Sequence, residues 1–255
     1  MSNSASNSIL NSGVLNINLP TQQRVLAVTT TRKSGYSIAP FNSFNLGDHV
    51  NDAEQKVSLN RQKLAQQLPQ NCKIQWLNQV HGNEVVNVKA ISATPLTADA
   101  SYTDKENIAL AVLTADCLPI FLVNYSGSEI AAIHGGWRPL AANIVANTVN
   151  LFKDSPENIT AWLGPCIGEQ AFEVGIEVKQ TFENLAPSFS QAFVEHSDGK
   201  FLANLHLLAT LQLQLLGINN ISSLAECTYS DQDKYFSYRR DGQTGRMASV
   251  ICLSA

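Results

Sequence analysis

Charge is scarce in this chain. Asp, Glu, Lys and Arg make up only 15% of its 255 residues and leave a formal net charge of −4. The 17 basic residues form no long run, which excludes a polyanion-binding face and, with it, nucleic acid as the primary partner. No stretch approaches the roughly 18 uninterrupted apolar residues of a membrane span, so no membrane partner is expected. The opening residues, MSNSASNSILNSG, have no positively charged region and no long apolar block, and so do not read as a secretory signal. The expectation is a soluble, cytoplasmic protein. The cysteines (Cys72, Cys117, Cys166, Cys227 and Cys252) are odd in number and scattered, which excludes a disulfide framework. In a reducing compartment each is core, ligand or nucleophile. Histidine is also rare, with five in all and no His-x-His pair, and the only methionines are Met1 and Met247. That is a poor supply for multicopper chemistry or for a blue-copper centre with two His, one Cys and a weak axial ligand.

What the chain does have is apolar content, 44% of residues, enough for one full core. Residues 1–20, rich in Ser and Asn, read as a flexible arm with a short strand around 14–17. Residues 21–255 read as a single catalytic domain. Residues 24–31, RVLAVTTT, are β-branched and predict a strand. The Gly, Pro, Asn and Asp scattered through residues 35–52 predict a long loop. Val57, Leu64 and Leu68 mark one face of a helix over residues 52–68. Alternating apolar positions flank His-Gly-Asn within residues 74–89, which places His81 at the tip of a hairpin-like bend. The apolar run 108–125 reads as two buried strands broken at 115–119, because Pro119 lacks a donor for a central strand. EIAAIHGG reads as a third strand ending at His134, and helical spacing follows over residues 140–152. Later segments predict a strand at NITAWLGPCIG, a helix near 175–185, a helix over LANLHLLATLQLQLLGI and a C-terminal strand. Strands in adjacent groups as well as beside helices point to an α+β fold, with mixed sheets covered by helices.

Three chemistry-bearing residues fall at the ends of apolar strands: His81, Cys117 and His134. Their spacings, 36 and 17 residues, match no zinc finger. Two imidazoles and a thiolate do match the donor set of tetrahedral zinc with its fourth position open for chemistry. The alternative is a buried structural cysteine and two hydrogen-bonded histidines. Asp116, beside Cys117, either orients a ligand histidine or simply makes a turn. Gly135-Gly136-Trp137 opens a helix and offers either an anion site or a plain turn. Arg239, Arg240 and Arg246 form the one local basic cluster, suited to phosphate or merely solvated. His206 reads as a satisfied core histidine, His196 as surface, and His49 as the one substitute ligand. Cys166 either lies near the same cleft, as its Gly-Pro context suggests, or is an ordinary core cysteine.

The segments TTR, NSFNLGDHV, NQVHG, ADASYT, LTADCLPI, HGGWRPL, WLGPCIG and FSYRRDGQTGRMAS together resemble the YfiH/YlmD-type proteins, also called the laccase-domain or multicopper polyphenol oxidase family. The resemblance runs from about residue 29 to residue 253. It implies an α+β sandwich like that of toxin-like cysteine hydrolases. It also implies that His81, Cys117 and His134 are catalytic metal ligands, with zinc as cofactor and copper as an alternative occupant. The implied activity is purine nucleoside phosphorylase, acting on adenosine, inosine, guanosine and methylthioadenosine with phosphate, together with adenosine deamination. Asn45, Arg61, Arg239 and Arg240 are implied as substrate contacts. A copper polyphenol oxidase and an amidohydrolase that edits cell-wall precursors are the alternatives carried by the same resemblance. Neither the resemblance nor the composition indicates an oligomeric state.

Overall fold

A computed structural model describes residues 13–21 and 25–254. In chain order the elements are β1 (Val14–Ile17), β2 (Val25–Thr30), α1 (Glu54–Ala65), β3 (Lys73–Gln75), β4 (Leu77–Asn78), β5 (Val85–Asn87), β6 (Leu96–Thr97), β7 (Ala100–Thr103), β8 (Ile108–Thr114), β9 (Leu118–Asn124), β10 (Ile130–Gly135), α2 (Trp137–Ala141), α3 (Ile144–Val149), β11 (Ile159–Leu163), β12 (Glu173–Gly175), α4 (Ile176–Glu183), β13 (Phe193–Ser197), β14 (Lys200–Ala203), α5 (Leu205–Leu215), β15 (Asn220–Ser223), α6 (Tyr238–Asp241) and β16 (Met247–Leu253). The expected α+β class holds.

Two sheets face each other. One has the order β1-β2-β16-β8-β3, the other β15-β11-β9-β10-β7-β5, and both mix parallel and antiparallel pairs. Alternation along the apolar strands decides which layer each side chain joins. Leu110, Val112 and Ile251 from the first sheet meet Phe121, Val123, Ala132 and Trp162 from the second in the central layer. Phe121 stacks on Trp162 there, with centroids 5.2 Å apart. The opposite faces are also covered. Ala109, Ala111, Val250 and Cys252 pack beneath Leu64 of α1 and Phe44 and Leu46 of the long loop. Leu118, Ile120, Leu122 and Ile133 pack beneath Ile144 and Val145 of α3 and Leu205, Leu208 and Leu213 of α5. Burial on both faces is why residues 108–125 read as one apolar run.

Several expectations need correction. The short strand expected around 14–17 is present as β1, but it pairs antiparallel with β2 and buries Val14 and Leu15, so that part of the arm is packed. Residues 1–12 of that arm lie outside the described residues. The strands flanking His81 do not form a hairpin: β4 pairs with β6 and β5 with β7, both parallel. The helix over residues 140–152 is two short helices, α2 and α3, parted at Asn143, whose φ of +63° is left-handed. Asn tolerates that region when most residues do not. Pro119 lies within β9, near its start, opposite His134. Continuing the β9–β11 register places Gly164 across from Pro119, and the Gly164 amide donates to the Pro119 carbonyl at 2.9 Å. The Gly164 carbonyl, left without a proline donor, accepts instead from His206 Nε2 at 2.8 Å. His206 is thus the satisfied histidine expected, and its bond is what lets a proline sit in an internal strand.

Candidate metal centre

The site lies where the chain leaves one sheet for the other. β8 ends at Thr114, residues 115–117 cross over, and β9 begins at Leu118. Asp116 makes this crossing with φ +94°, a conformation costly for any residue with a Cβ. Three bonds hold it. Oδ1 accepts from the Thr228 hydroxyl at 2.7 Å, Oδ2 from the Arg239 amide at 2.7 Å, and the Asp116 carbonyl from the Ile167 amide at 2.8 Å. Asp116 therefore makes the turn that aims Cys117; it bonds neither histidine.

His81 arrives from the far side on its own left-handed turn, φ +58°. Gln79 fixes that loop by pairing with the end of β8. Its side-chain amide donates to the Leu113 carbonyl at 2.9 Å and its oxygen accepts from the Leu113 amide at 2.7 Å. His134 is the penultimate residue of β10 and is buried. Its ring stands edge-on to His81, with centroids 4.7 Å apart at 81°. His81 Nε2 lies 4.0 Å from Cys117 Sγ, and one ligand atom from each of His81, Cys117 and His134 lies within 4.8 Å of the others. Tetrahedral zinc bonds of about 2.0–2.3 Å need donors roughly 3.5 Å apart, so a contraction of up to about 1.3 Å closes the shell. The three donors fit such an ion, and among the described residues no other His, Cys, Asp or Glu group of this kind occurs. Gly136 explains part of this closeness. A Cβ there would stand 3.1 Å from Cys117 Sγ and 3.4 Å from His81 Cδ2, so the first glycine pair after His134 makes room for the ligands.

Behind the ligands sits Asp99, a residue that the expectations missed. It is fully buried. Oδ1 pairs with His134 Nδ1 at 2.8 Å and accepts from the His81 amide at 2.9 Å; Oδ2 accepts from the Val80 amide at 3.1 Å and the Gly82 amide at 2.7 Å. Four donors fill the four lone-pair sites of one carboxylate. The carboxylate fixes the His134 tautomer, with Nδ1–H toward Asp99 and Nε2 free to ligate. Burial pushes the Asp99 carboxyl up, but the His134 bond and the Gly82 and Val80 amides outweigh it and hold it below the usual range. In the metal-free protein burial likewise pushes the Cys117 thiol up, yet His134 and His81 bring it down to about 6. Burial lowers His134, while Cys117 and Asp99 raise it to about 9. The metal-free site is a thiolate beside an imidazolium, and a cation binding there displaces the His134 Nε2 proton.

The ligands open into a cavity of about 600 Å³, also lined by Trp137, Arg138, Phe172, Tyr238, Arg239 and Arg246. Of the four expected substrate contacts, only Arg239 reaches it. Asn45 is fully buried and spends its side chain on the Gly47 carbonyl and amide, Asp52 and the Arg246 amide. Arg61 is held by the Leu46 carbonyl and Asp48 and lies over Trp76. Arg240 turns to the Thr228, Tyr229 and Tyr235 carbonyls and to Asp241. His49 lines the cavity, exposed, but is not grouped with the ligands. His196 is a surface residue, 3.8 Å from Glu173. Cys166 is buried behind the wall, and its neighbour Ile167 lines the cavity instead.

A family model described as multi-copper polyphenol oxidoreductase laccase matches residues 26–254. The chain is 45% identical over 236 residues to purine nucleoside phosphorylase YfiH of Escherichia coli (strain K12), covering 92% of this chain and 96% of that protein. It is 44% identical over 241 residues to a purine nucleoside phosphorylase of Haemophilus influenzae, covering 93% and 98%. Among solved structures, Neisseria meningitidis protein NMB0706 superposes with a TM-score of 0.92 at 40% identity over 95% of this chain and all of that one. YlmD from Geobacillus stearothermophilus gives 0.89 at 31% identity over 95% and 97%.

Proposed function

Because the chain belongs to the multi-copper polyphenol oxidoreductase laccase family and its relatives there are named purine nucleoside phosphorylases, we propose that it is a zinc-dependent purine nucleoside phosphorylase. Its substrates on this reading are adenosine, inosine, guanosine and methylthioadenosine with phosphate, and the same site also deaminates adenosine. The observation that carries the reading is the His81, Cys117 and His134 cluster at the end of a cavity large enough for a nucleoside and a phosphate. Zinc, when bound, supplies Lewis-acid polarisation and water activation.

The protein's own part is positioning. Asp99 holds both histidines, and Asp116 holds Cys117. Trp137, Phe172 and Tyr238 offer apolar faces for a purine, and the arginines offer N–H groups for an anion. In phosphorolysis a phosphate oxygen bonds to C1′ as the C1′–N9 bond breaks. The electron pair passes to the purine, which takes up a proton, and charge builds on the sugar as in other glycosyl cleavages.

The donor set favours zinc over a multicopper or blue-copper centre. Met247, the one methionine among the described residues, is buried and accepts the Phe236 amide at 3.1 Å, so no axial thioether faces the ligands. All five cysteines are free, which suits a reducing, cytoplasmic setting. No described helix is long and apolar enough to cross a membrane.

The deciding experiment incubates metal-defined protein with adenosine, inosine and UDP-muramyl peptides, with and without phosphate, and identifies products by mass. Ribose 1-phosphate and free base, formed only with phosphate, are expected. Release of an amino acid from the muramyl peptide in place of nucleoside cleavage would overturn the proposal in favour of the amidohydrolase.

A further inference from the structure

We propose, resting on the phosphorolysis reading, that Arg246, with Arg239 and Arg138 beside it, forms the subsite for the phosphate nucleophile. The three guanidinium groups line the cavity that holds the metal ligands. The helix opening at Gly135-Gly136-Trp137 is not needed for this: α2 has only five residues, and Gly136 is spent on close packing.

The argument begins with what these arginines lack. Among the described residues none of the three forms an ion pair, whereas Arg61 pairs with Asp48 at 3.1 Å and Arg240 with Asp241 at 2.8 Å. The one carboxylate lining the cavity is Asp116, and its two oxygens are already occupied by Thr228 and the Arg239 amide. The cavity therefore has three guanidinium groups and one carboxylate, whose side-chain bonds go to none of them.

The arginines are nonetheless held in place. Each lies over an aromatic ring that also lines the cavity. Arg138 is 4.6 Å from the Trp137 centroid, Arg239 5.6 Å from Phe172 and Arg246 5.8 Å from Tyr238. Backbone carbonyls take part of their donor sets. Arg239 gives Nη1 and Nη2 to the Glu173 carbonyl, each at 3.2 Å. Arg246 gives Nη1 to the Thr244 and Gly245 carbonyls at 2.9 and 3.1 Å. Its Nε and Nη2 have no hydrogen-bond acceptor among the described residues, and they form the edge that grips an oxyanion bidentately. Arg246 is half-buried, and burial pushes its pKa down against the opposing pull of Cys117 and Asp116, so the group is partly desolvated with no direct ion pair. A dianion restores what desolvation removes. Its backbone is fixed as well, since the Arg246 amide donates to Asn45 Oδ1 at 2.9 Å.

The chemistry shared by all candidate ligands is a tetrahedral phosphoryl oxyanion. It comes either as free inorganic phosphate or as the phosphate of a nucleotide, and the assignment here is to the free anion.

The test uses the full-length, zinc-loaded protein and titrates inorganic phosphate by calorimetry, without nucleoside, into wild type, Arg246→Met, Arg246→Lys and Arg138→Met. Arg246→Met is expected to weaken phosphate about tenfold or more, Arg138→Met a few-fold, and Arg246→Lys by an intermediate factor, since lysine keeps the charge and loses the fork. In turnover, the KM for phosphate should rise in the same order while the KM for inosine changes less than about twofold. Arg138 is exposed and its side chain forms no hydrogen bond among the described residues, so its variant keeps the test valid if Arg246→Met unfolds. Unchanged phosphate affinity in Arg246→Met, or in Arg138→Met where Arg246→Met unfolds, overturns the subsite. So does loss of adenosine 5′-monophosphate binding with inorganic phosphate binding retained. Phosphate binding that depends on Arg246, found with no ribose 1-phosphate formed, upholds the subsite and refutes the phosphorylase reading.

Discussion

Replacing Asp99 by Asn isolates what one buried carboxylate does for the metal centre. The carboxylate accepts from the Val80, His81 and Gly82 amides and pairs with His134 Nδ1, two donors to each oxygen. Asparagine brings one oxygen and one NH₂ group. If its oxygen faces His81 and His134, the Val80 and Gly82 amides meet a donor; if it is flipped, His134 and His81 lose theirs. Either way two donors lose their acceptor, and because the backbone bonds are only part-buried the cost is about 1–3 kcal/mol of folded stability in all. Against a typical 5–15 kcal/mol total, the variant stays folded in the cold with a clearly lower denaturant midpoint. Metal affinity should fall about 10–100-fold as His134 loses its fixed tautomer and its negative partner. Chelator competition on metal-free protein measures the second effect and urea unfolding the first. Leu208→Ala is the control. This buried α5 residue packs between the outer helix layer and the second sheet, and its loss costs about 2–5 kcal/mol while it bonds to none of the ligands. If Asp99→Asn binds zinc as tightly as wild type, or if Leu208→Ala weakens zinc equally, Asp99 has no specific part in holding the metal.

Three further outcomes are expected. Metal-free protein should be alkylated by iodoacetamide at Cys117 with a rate that rises through about pH 6, and zinc should abolish the reaction; equal rates with and without zinc would make Cys117 a nucleophile rather than a ligand. Cys166→Ala should retain full zinc content by elemental analysis and most activity, because this buried thiol lies behind the cavity wall, and loss of metal would reveal a missed ligand. Asp104, bonded to Lys105 at 3.0 Å and Lys153 at 2.8 Å, has its carboxyl held down at about 2. Its stabilisation is complete above the ordinary carboxylate pKa near 4 and is lost as pH falls through 2. Both lysines are largely exposed, so Asp104→Asn should cost only about 0.2–1 kcal/mol at neutral pH, with the difference from wild type vanishing near pH 2 in urea titrations.

The parts of the fold legible in the sequence were those governed by local pattern. The doubly buried strands β8 and β9 followed from an apolar run, and α1 and α5 followed from helical spacing. What was not legible was set by partners distant in sequence. Apolar alternation around His81 identified strands but not their pairing, so a bend between parallel-paired strands looked like a hairpin. The α2–α3 break escaped notice because apolar spacing continues through it while the backbone at Asn143 reverses hand. Pro119 was misjudged because its compensation comes from His206, on α5, 87 residues away in this sequence.

The same reasoning separates the expected site residues that the structure brings together from those that it does not. His81, Cys117 and His134 were recognisable because few side chains bind metal, so chemistry alone limits what they do. Asp99, Asn45 and Arg61 carry versatile polar groups whose role depends on the neighbours the fold provides. Asp99 stands 18 residues from His81 and 35 from His134, within the motif ADASYT, to which no role was given. Its function appears only when four donors converge on it. Asn45 makes the converse case. It was expected to touch substrate, yet its Oδ1 accepts from the Gly47 and Arg246 amides, anchoring the backbone that carries a cavity-lining guanidinium. Arg61 likewise braces residues 46–48 through the Leu46 carbonyl and Asp48, on the loop that brings His49 to the cavity. A polar residue in a specific motif is therefore as apt to hold a functional side chain in place as to be one, and only its hydrogen-bond partners distinguish the two.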